Sequence, residues 1–329
     1  MTKAMISLAA ALLLALGSLG QTFHSAAHAA DIVIGAGAGA TDHVNVSRAL
    51  CRQIQRAVKG VSCDVRRTEG GDAAEPVAVL SDLRNAALEL GIVRADWQYH
   101  AVKGSGPMKF FDIKFDSLRA VLSLQIEPVT LIARRDSGIG GLDDLAGKRI
   151  NIGKPGSQER AAMEMMMKAK GWTRWSFQFV DELSAAEQSL ALCHNRVQAI
   201  VSTAAHPNPT VARTLKLCNA RIVPVTGTAI AKLVDDNPFL VTTAVVAGAY
   251  EGMDEGVATI GVPLTLLSSE DMDVDLIHTI TGAVLGELDR FRKMHPVLGG
   301  LTAEDMMKRG LTAPAHDGAL RYFREKGMI

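Results

Sequence analysis

Apolar and polar positions along the chain fall into a recurring strand–loop–helix alternation. Residues 31–35 (DIVIG) read as a short buried strand that runs into a Gly/Ala loop. A helix follows with Val46, Leu50, Ile54 and Val58 on one face and Thr41 or Asp42 as its cap. Residues 62–67 read as a second strand, 68–72 (TEGGD) as a second glycine loop, and the helix after it carries Val77, Leu80 and Leu83. A third strand is expected over 88–93, and a further helix begins at 96–100 (DWQYH). The rhythm breaks at 119–124 and 129–134, two strands separated only by Glu127-Pro128, and the second is read as a passage into a new lobe.

That lobe repeats the alternation. A short helix at 142–145 leads to a strand with Ile150 and Ile152, a turn with Gly153, Pro155 and Gly156, and a helix capped by Ser157. Ala161, Met165 and Ala169 recur every four residues and mark the face that helix is expected to bury. Strands are expected at 177–180, 199–202 and 221–225, and helices at 185–194, up to Leu217 and at 229–234. The apolar stretch 258–267 crosses back, and the end of the chain is helical over 276–294, 303–308 and 318–326. The expected fold is α/β: a two-lobe clamshell, each lobe a mostly parallel sheet flanked by helices, joined by two crossing segments. Lobe I comprises 31–125 with 262–329, and lobe II 126–261.

Residues 1–30 stand outside this pattern. Lys3 forms a weak positive start, 5–19 an apolar stretch, and Ala27-His28-Ala29 a small-x-small site, which together read as a signal peptide cleaved after Ala29 or Ala30. The mature chain is therefore expected to be exported. The formal charge is +0, and loss of Lys3 makes it −1; a near-neutral chain offers no electrostatic footprint for nucleic acid. Aromatics make up only 5%, so the core must rely on small and aliphatic residues and the 13 Met. Four cysteines in an exported chain suggest two disulfides, with three pairings possible. The local pairing is preferred: Cys51 on a helix with Cys63 on the next strand, and Cys193 with Cys218 at the ends of successive helices.

The chemistry-bearing residues point to binding rather than turnover. Gly35, Gly37 and Ala40 approximate a dinucleotide fingerprint, but the loop is an alternating Gly-Ala run, read instead as a close backbone approach to a ligand or to the opposite lobe. No nucleophile elbow, zinc-protease helix or P-loop is present, and no C-x-x-C suggests a metal; neither cofactor nor metal is expected. The start of the Ser157 helix offers bare amides, and Arg160 in its first turn adds a guanidinium. Together they read as a cradle for a small carboxylate. Asp96 and Trp97 follow the third strand, where ligands line parallel sheets, and His206 sits in a Pro-bounded turn, able to donate to a carboxylate.

Long segments resemble the TAXI-type solute receptors of the TRAP transporters. They are DWQYHA (96–101), LRAVLSLQIEPVTLIARRDSGI (118–139), DLAGKRINIGKPGS (144–157), RAAMEMMMKAKGW (160–172), the HPNP turn, PVTGTAIAKLVDDNPF (224–239) and APAHDGALRYFREKG (313–327). The resemblance implies a periplasmic-binding-protein-like clamshell of type II without catalysis. It also implies a small carboxylate ligand (glutamate, glutamine, 2-oxoglutarate or another dicarboxylate), a membrane TRAP permease as partner and a monomeric receptor. It supports the local cysteine pairing as well. The ligand contacts it implies, joined to those read above, are Gly39, Ala40, Thr41, Asp42, Glu69, Gly70, Gly71, Asp72, Asp96, Trp97, Gly156, Ser157, Gln158, Arg160, Thr203 and His206. The second loop departs from the family pattern. Glu69 and Asp72 stand where neutral groups are usual, and Glu75-Pro76 falls near an Asn position. Such acids repel a bare dicarboxylate and favour a ligand with an ammonium group. Two alternatives fit the same residues: a ligand sensor for a signalling receptor, and a periplasmic enzyme using scattered Asp and Glu.

Overall fold

The computed structural model describes residues 31–37, 41–68, 74–110 and 115–329. The expected signal peptide, Gly39, Ala40 and the Glu69–Asp72 loop lie outside them, and of Thr41 only the backbone is described.

The chain opens with β1 (Asp31–Gly37), α1 (Thr41–Ala57), β2 (Ser62–Thr68), α2 (Ala74–Arg84), β3 (Leu90–Arg94) and α3 (Ala95–Lys103). All five residues of β3 are buried, as a strand covered by helices on both faces requires. β4 (Leu118–Pro128) and β5 (Thr130–Arg134) follow without an intervening helix. Then come β6 (Arg149–Asn151), α4 (Gln158–Lys170), β7 (Phe179–Asp181), α5 (Ala185–Cys193), β8 (Ala199–Ser202), α6 (Pro209–Leu217), β9 (Ala220–Val223), α7 (Thr228–Asp236) and β10 (Val241–Val245). The long β11 (Val257–Ser269) precedes α8 (Val274–Leu285), α9 (Leu288–Arg292), α10 (Ala303–Lys308) and α11 (Asp317–Glu325). The helix expected over 276–294 is thus two, interrupted around Gly286.

The strands form two sheets. The first is ordered β10-β11-β3-β1-β2 with β4 also paired to β11, and the second β7-β6-β8-β5-β9. The parallel part that the alternation announces is β2-β1-β3 in one sheet and β7-β6-β8 in the other. The antiparallel partners are β5 with its neighbours β8 and β9, and β11 with β3, β4 and β10. β4 and β11 are the crossing segments. They pair along most of their length, from Ser269 opposite Leu118 to Gly261 opposite Pro128. A side chain at Gly261 would meet Ile126 Cγ2 at 2.6 Å and Glu127 O at 3.0 Å, so this close strand pair requires glycine there.

Each sheet has its own core. Ile32, Leu50, Ile54, Leu122, Ile277 and Phe291 fill one face of the first sheet, and Leu80, Leu83, Val93 and Phe115 the other. The second sheet buries Leu131, Ile150, Met163, Met166 and Val201 on one side and Ile132, Leu192, Ile200 and Val211 on the other. Cys51 is bonded to Cys63, inside the first of these cores, and Cys193 to Cys218, beside the last, with Cα–Cα separations of 5.2 Å and 4.2 Å. The local pairing is the one adopted.

Helix ends follow local chemistry. Ser157 Oγ accepts from the Arg160 N–H at 3.2 Å, and Gly171 closes α4 in the left-handed region. The face α4 buries is Ala162, Met163 and Met166, not Ala161, Met165 and Ala169; Ala161 is exposed. In a helix this rich in Ala and Met, two apolar stripes run side by side, and contact with the sheet selects between them.

Candidate functional site

A cleft of about 1030 Å³ opens between the two sheets. The first-sheet side contributes Gly37, Asp42, His43, Glu75, Arg94, Glu127 and His295. The opposite side contributes Lys154, Ser157, Gln158, Glu159, Thr203, Asn208 and Tyr250. Backbone ends position them. Arg94 terminates β3, Glu127 stands one residue before the end of β4, and Asp42 and His43 open α1. Across the cleft, Gln158 and Glu159 begin α4 immediately after its Ser157 cap. The turn before that cap needs Gly153, whose φ is +86°, because a Cβ there would lie 2.7 Å from the Arg160 amide.

Arg94 organises the floor of the cleft. Its side chain is 4% exposed. Nε and Nη2 donate to Asp96 Oδ1 and Oδ2 at 3.2 and 2.8 Å, and Nη1 donates to Glu127 Oε2 at 3.3 Å and to Gln158 Oε1 at 2.8 Å. The other Glu127 oxygen lies 2.6 Å from His43 Nε2. Burial works against the Arg94 charge, but Asp96 and Glu127 more than offset it, so the guanidinium holds its proton more tightly than usual. Burial pushes the Asp42 carboxyl up, opposed by His295 and His43. Glu75 is 9% exposed, and a Cβ on Gly37 would collide with its carboxylate. Among the described residues, four carboxylates (Asp42, Glu75, Glu127 and Glu159) thus line the cleft against two permanent cations, Arg94 and the exposed Lys154.

The residues expected from sequence separate into two groups. Asp42, Ser157, Gln158 and Thr203 line the cleft. Asp96 acts through Arg94, and Trp97 packs against the α2–α3 side of the first sheet. Arg160, expected as the cation of the cradle, is not in the lining. Nε reaches Glu164 at 2.6 Å, and Nη1 reaches Glu182 at 3.1 Å and the Gly153 carbonyl at 3.4 Å. Neither does Gly156 line the cleft.

His206 is also turned to an internal task. Nε2 lies 2.6 Å from Thr130 Oγ1 and Nδ1 meets the Tyr250 hydroxyl, which accepts from the Asn208 N–H at 2.9 Å. Either neutral tautomer engages both nitrogens: with Tyr250 donating to Nδ1, Nε2–H donates to Thr130, whose hydroxyl faces the Pro128 carbonyl at 3.4 Å; with Nδ1–H donating to Tyr250, the Thr130 hydroxyl donates to Nε2. Burial lowers the His206 pKa to about 4 and raises that of Tyr250 to about 12, so both stay neutral at pH 7. With both ring nitrogens engaged, His206 has no donor left for a carboxylate.

The residues sequence reasoning passed over are His43, Arg94, Glu127, Tyr250 and His295; Glu75 was noted only as a departure from the family pattern. One signal was available: Arg94 and Glu127 are lone charges at the ends of apolar strands, where a buried strand emerges into a cleft. Among the described residues no group of His, Cys, Asp and Glu is arranged to hold a metal ion, and no helix is long and apolar enough to cross a membrane.

Comparison with solved structures places this architecture. The chain is similar to a TctC solute-binding protein from Polaromonas, at 14% identity and a TM-score of 0.55, over 82% of this chain and 88% of that one. It is also similar to MatC from Rhodopseudomonas palustris with bound malate, at 17% identity and a TM-score of 0.51, over 91% and 97%. Both likenesses are of fold. The family model of the NMT1-like family matches residues 34–327. A match of that extent leaves little of the chain unaccounted for: with the fold of solute-binding proteins and a polar cleft between two α/β lobes, the chain belongs to the NMT1-like family.

Proposed function

We propose that the protein is a periplasmic receptor that captures a small carboxylate-bearing metabolite in the interlobe cleft and delivers it, chemically unchanged, to a TRAP-type membrane transporter of the TAXI class. The lobes in this reading are 31–125 with 262–329, and 126–261. The observation that carries it is the cleft itself, where the start of α4, capped by Ser157, and Lys154 face the acid-rich wall of the first sheet. The positive end of the helix dipole and Lys154 suit a carboxylate. The bound malate of MatC supports a small carboxylate as the ligand class.

Within the carboxylate class, the surplus of acids disfavours a bare dicarboxylate or 2-oxo acid and favours an amino acid such as glutamate or glutamine, whose ammonium group faces Asp42 and Glu75. The contacts assigned to the ligand are Asp42, Ser157, Gln158 and Thr203.

Thermal-shift screening of the exported protein against carboxylates and amino acids tests this reading. A true ligand at a hundredfold excess over Kd stabilises by about 2.7 kcal/mol. The ligand should be recovered unaltered after long incubation. If no acid or amino acid shifts the midpoint, the proposal fails; if the bound compound is converted, the receptor reading gives way to an enzyme.

A further inference from the structure

One contact joins the two walls of the cleft through polar atoms that are not part of either sheet. Arg94 belongs to the first lobe and is fixed there by Asp96, which holds two of its nitrogens; Glu127, on the crossing strand β4, holds a third, and the side chain is 4% exposed. Gln158 belongs to the second lobe, as the first residue of α4. Its Oε1 accepts from Arg94 Nη1 at 2.8 Å, with Thr203 Oγ1 at 3.4 Å behind it.

We propose that the Arg94–Gln158 bond is a ligand-independent clasp, and that Gln158 is a positioning residue whose grip on Arg94 sets how often the lobes meet before any ligand arrives. The physical case rests on three features. The donor is rigid and charged, so reaching it costs no ordering on its side, and a bond to a charged donor is about twice as strong as a neutral one. The acceptor is a neutral amide, so parting the lobes leaves an uncharged group to be rehydrated rather than a bare carboxylate. Arg94 also keeps Asp96, two residues along the same chain, when the lobes part, so opening leaves the guanidinium paired. A contact of this kind biases closure without locking it. Because a receptor that holds its ligand between the lobes binds most tightly when they meet, the fraction already closed scales the apparent affinity for every ligand alike.

The test is made on the ligand-free protein, so its outcome does not depend on what the cleft binds. Spin labels at two exposed positions, Arg48→Cys on α1 and Leu190→Cys on α5, report the interlobe distance distribution by pulsed electron resonance. Gln158→Leu keeps the bulk and removes the acceptor; Gln158→Ala removes both. The clasp predicts that both shift the distribution toward the separated form by the same amount, roughly tenfold in the open-to-closed ratio. It also predicts an unchanged melting temperature, since Gln158 is half-buried at a helix start. A Gln158→Leu distribution that superposes on the unmodified protein overturns the proposal, whether or not Gln158→Ala opens: in the first case bulk rather than the bond holds the lobes, in the second nothing at this position does.

Discussion

The two walls of the cleft each carry an arginine at the end of a structural element, and the two behave oppositely. Arg94, at the close of β3, is 4% exposed in its side chain and is held by Asp96, Glu127 and Gln158. Arg160, in the first turn of α4, is 21% exposed and turned toward Glu164 and Glu182. A strand end inside a sheet has one way out, into the crevice above the sheet. A helix start has several, because each residue turns the side chain by about 100°. Gln158 and Glu159 therefore face the cleft while Arg160, one residue further, does not. An acidic partner one turn along the same helix completes the diversion.

Four experiments probe this contrast, in descending order of effect. Replacing Arg94 by Ala leaves Glu127 and Asp96 facing each other without their shared cation, and should cost about 3–5 kcal/mol in denaturant unfolding. A loss no larger than that of an exposed pair would mean that water reaches this floor. The disulfides staple one lobe each: Cys51–Cys63 closes a separation of 12 residues and Cys193–Cys218 one of 25. Replacing either pair by Ala should destabilise by about 3 kcal/mol, slightly more for the longer loop, as read by thermal unfolding of the matched variants.

The third concerns protons on the second-lobe wall. His206 has its pKa lowered to about 4 by burial. Unfolded, it takes a proton near pH 6.5, which the folded form refuses. Between pH 6.5 and 4 the unfolded state binds more protons, so stability falls as the pH falls through this window, by up to about 2–3 kcal/mol. Urea midpoints measured across it should show this slope, and His206→Gln should flatten it. The smallest effect is expected for Arg160→Ala: the pairs it breaks are partly exposed and cost no more than about 1 kcal/mol, and ligand affinity should not change. Loss of ligand binding in Arg160→Ala would reverse the contrast between the two arginines and restore the cradle read from sequence.

Much of the architecture was legible because it rests on local signals. Alternating periodicity marked β1–α1–β2–α2–β3, the apolar stretches without an intervening helix marked β4, β5 and β11, and Ser157 announced the start of α4. Cysteine spacing and helix ends pointed to the pairing that is observed. What escaped depends on tertiary contact. Two antiparallel neighbours of β11, β3 and β4, lie far from it in sequence, and the buried face of α4 is decided by the sheet beneath it. The network of His43, Glu127, Arg94 and Gln158 draws on four separate elements, so no spacing along the chain encodes it. His206 looked like a donor for a ligand because it sits in a Pro-bounded turn after a second-lobe strand; Thr130 and Tyr250, which claim both nitrogens, come from distant parts of the chain.

The pairing of β4 with β11 has a mechanical consequence. Because the two links between the lobes are bonded edge to edge over their length, they behave as one two-ply ribbon instead of two independent tethers. Such a ribbon flexes across its thin direction and resists sliding of one ply past the other, since sliding would break every rung at once. Relative motion of the halves is thereby biased toward bending of this ribbon where it crosses, at Glu127–Val262 and Pro128–Gly261.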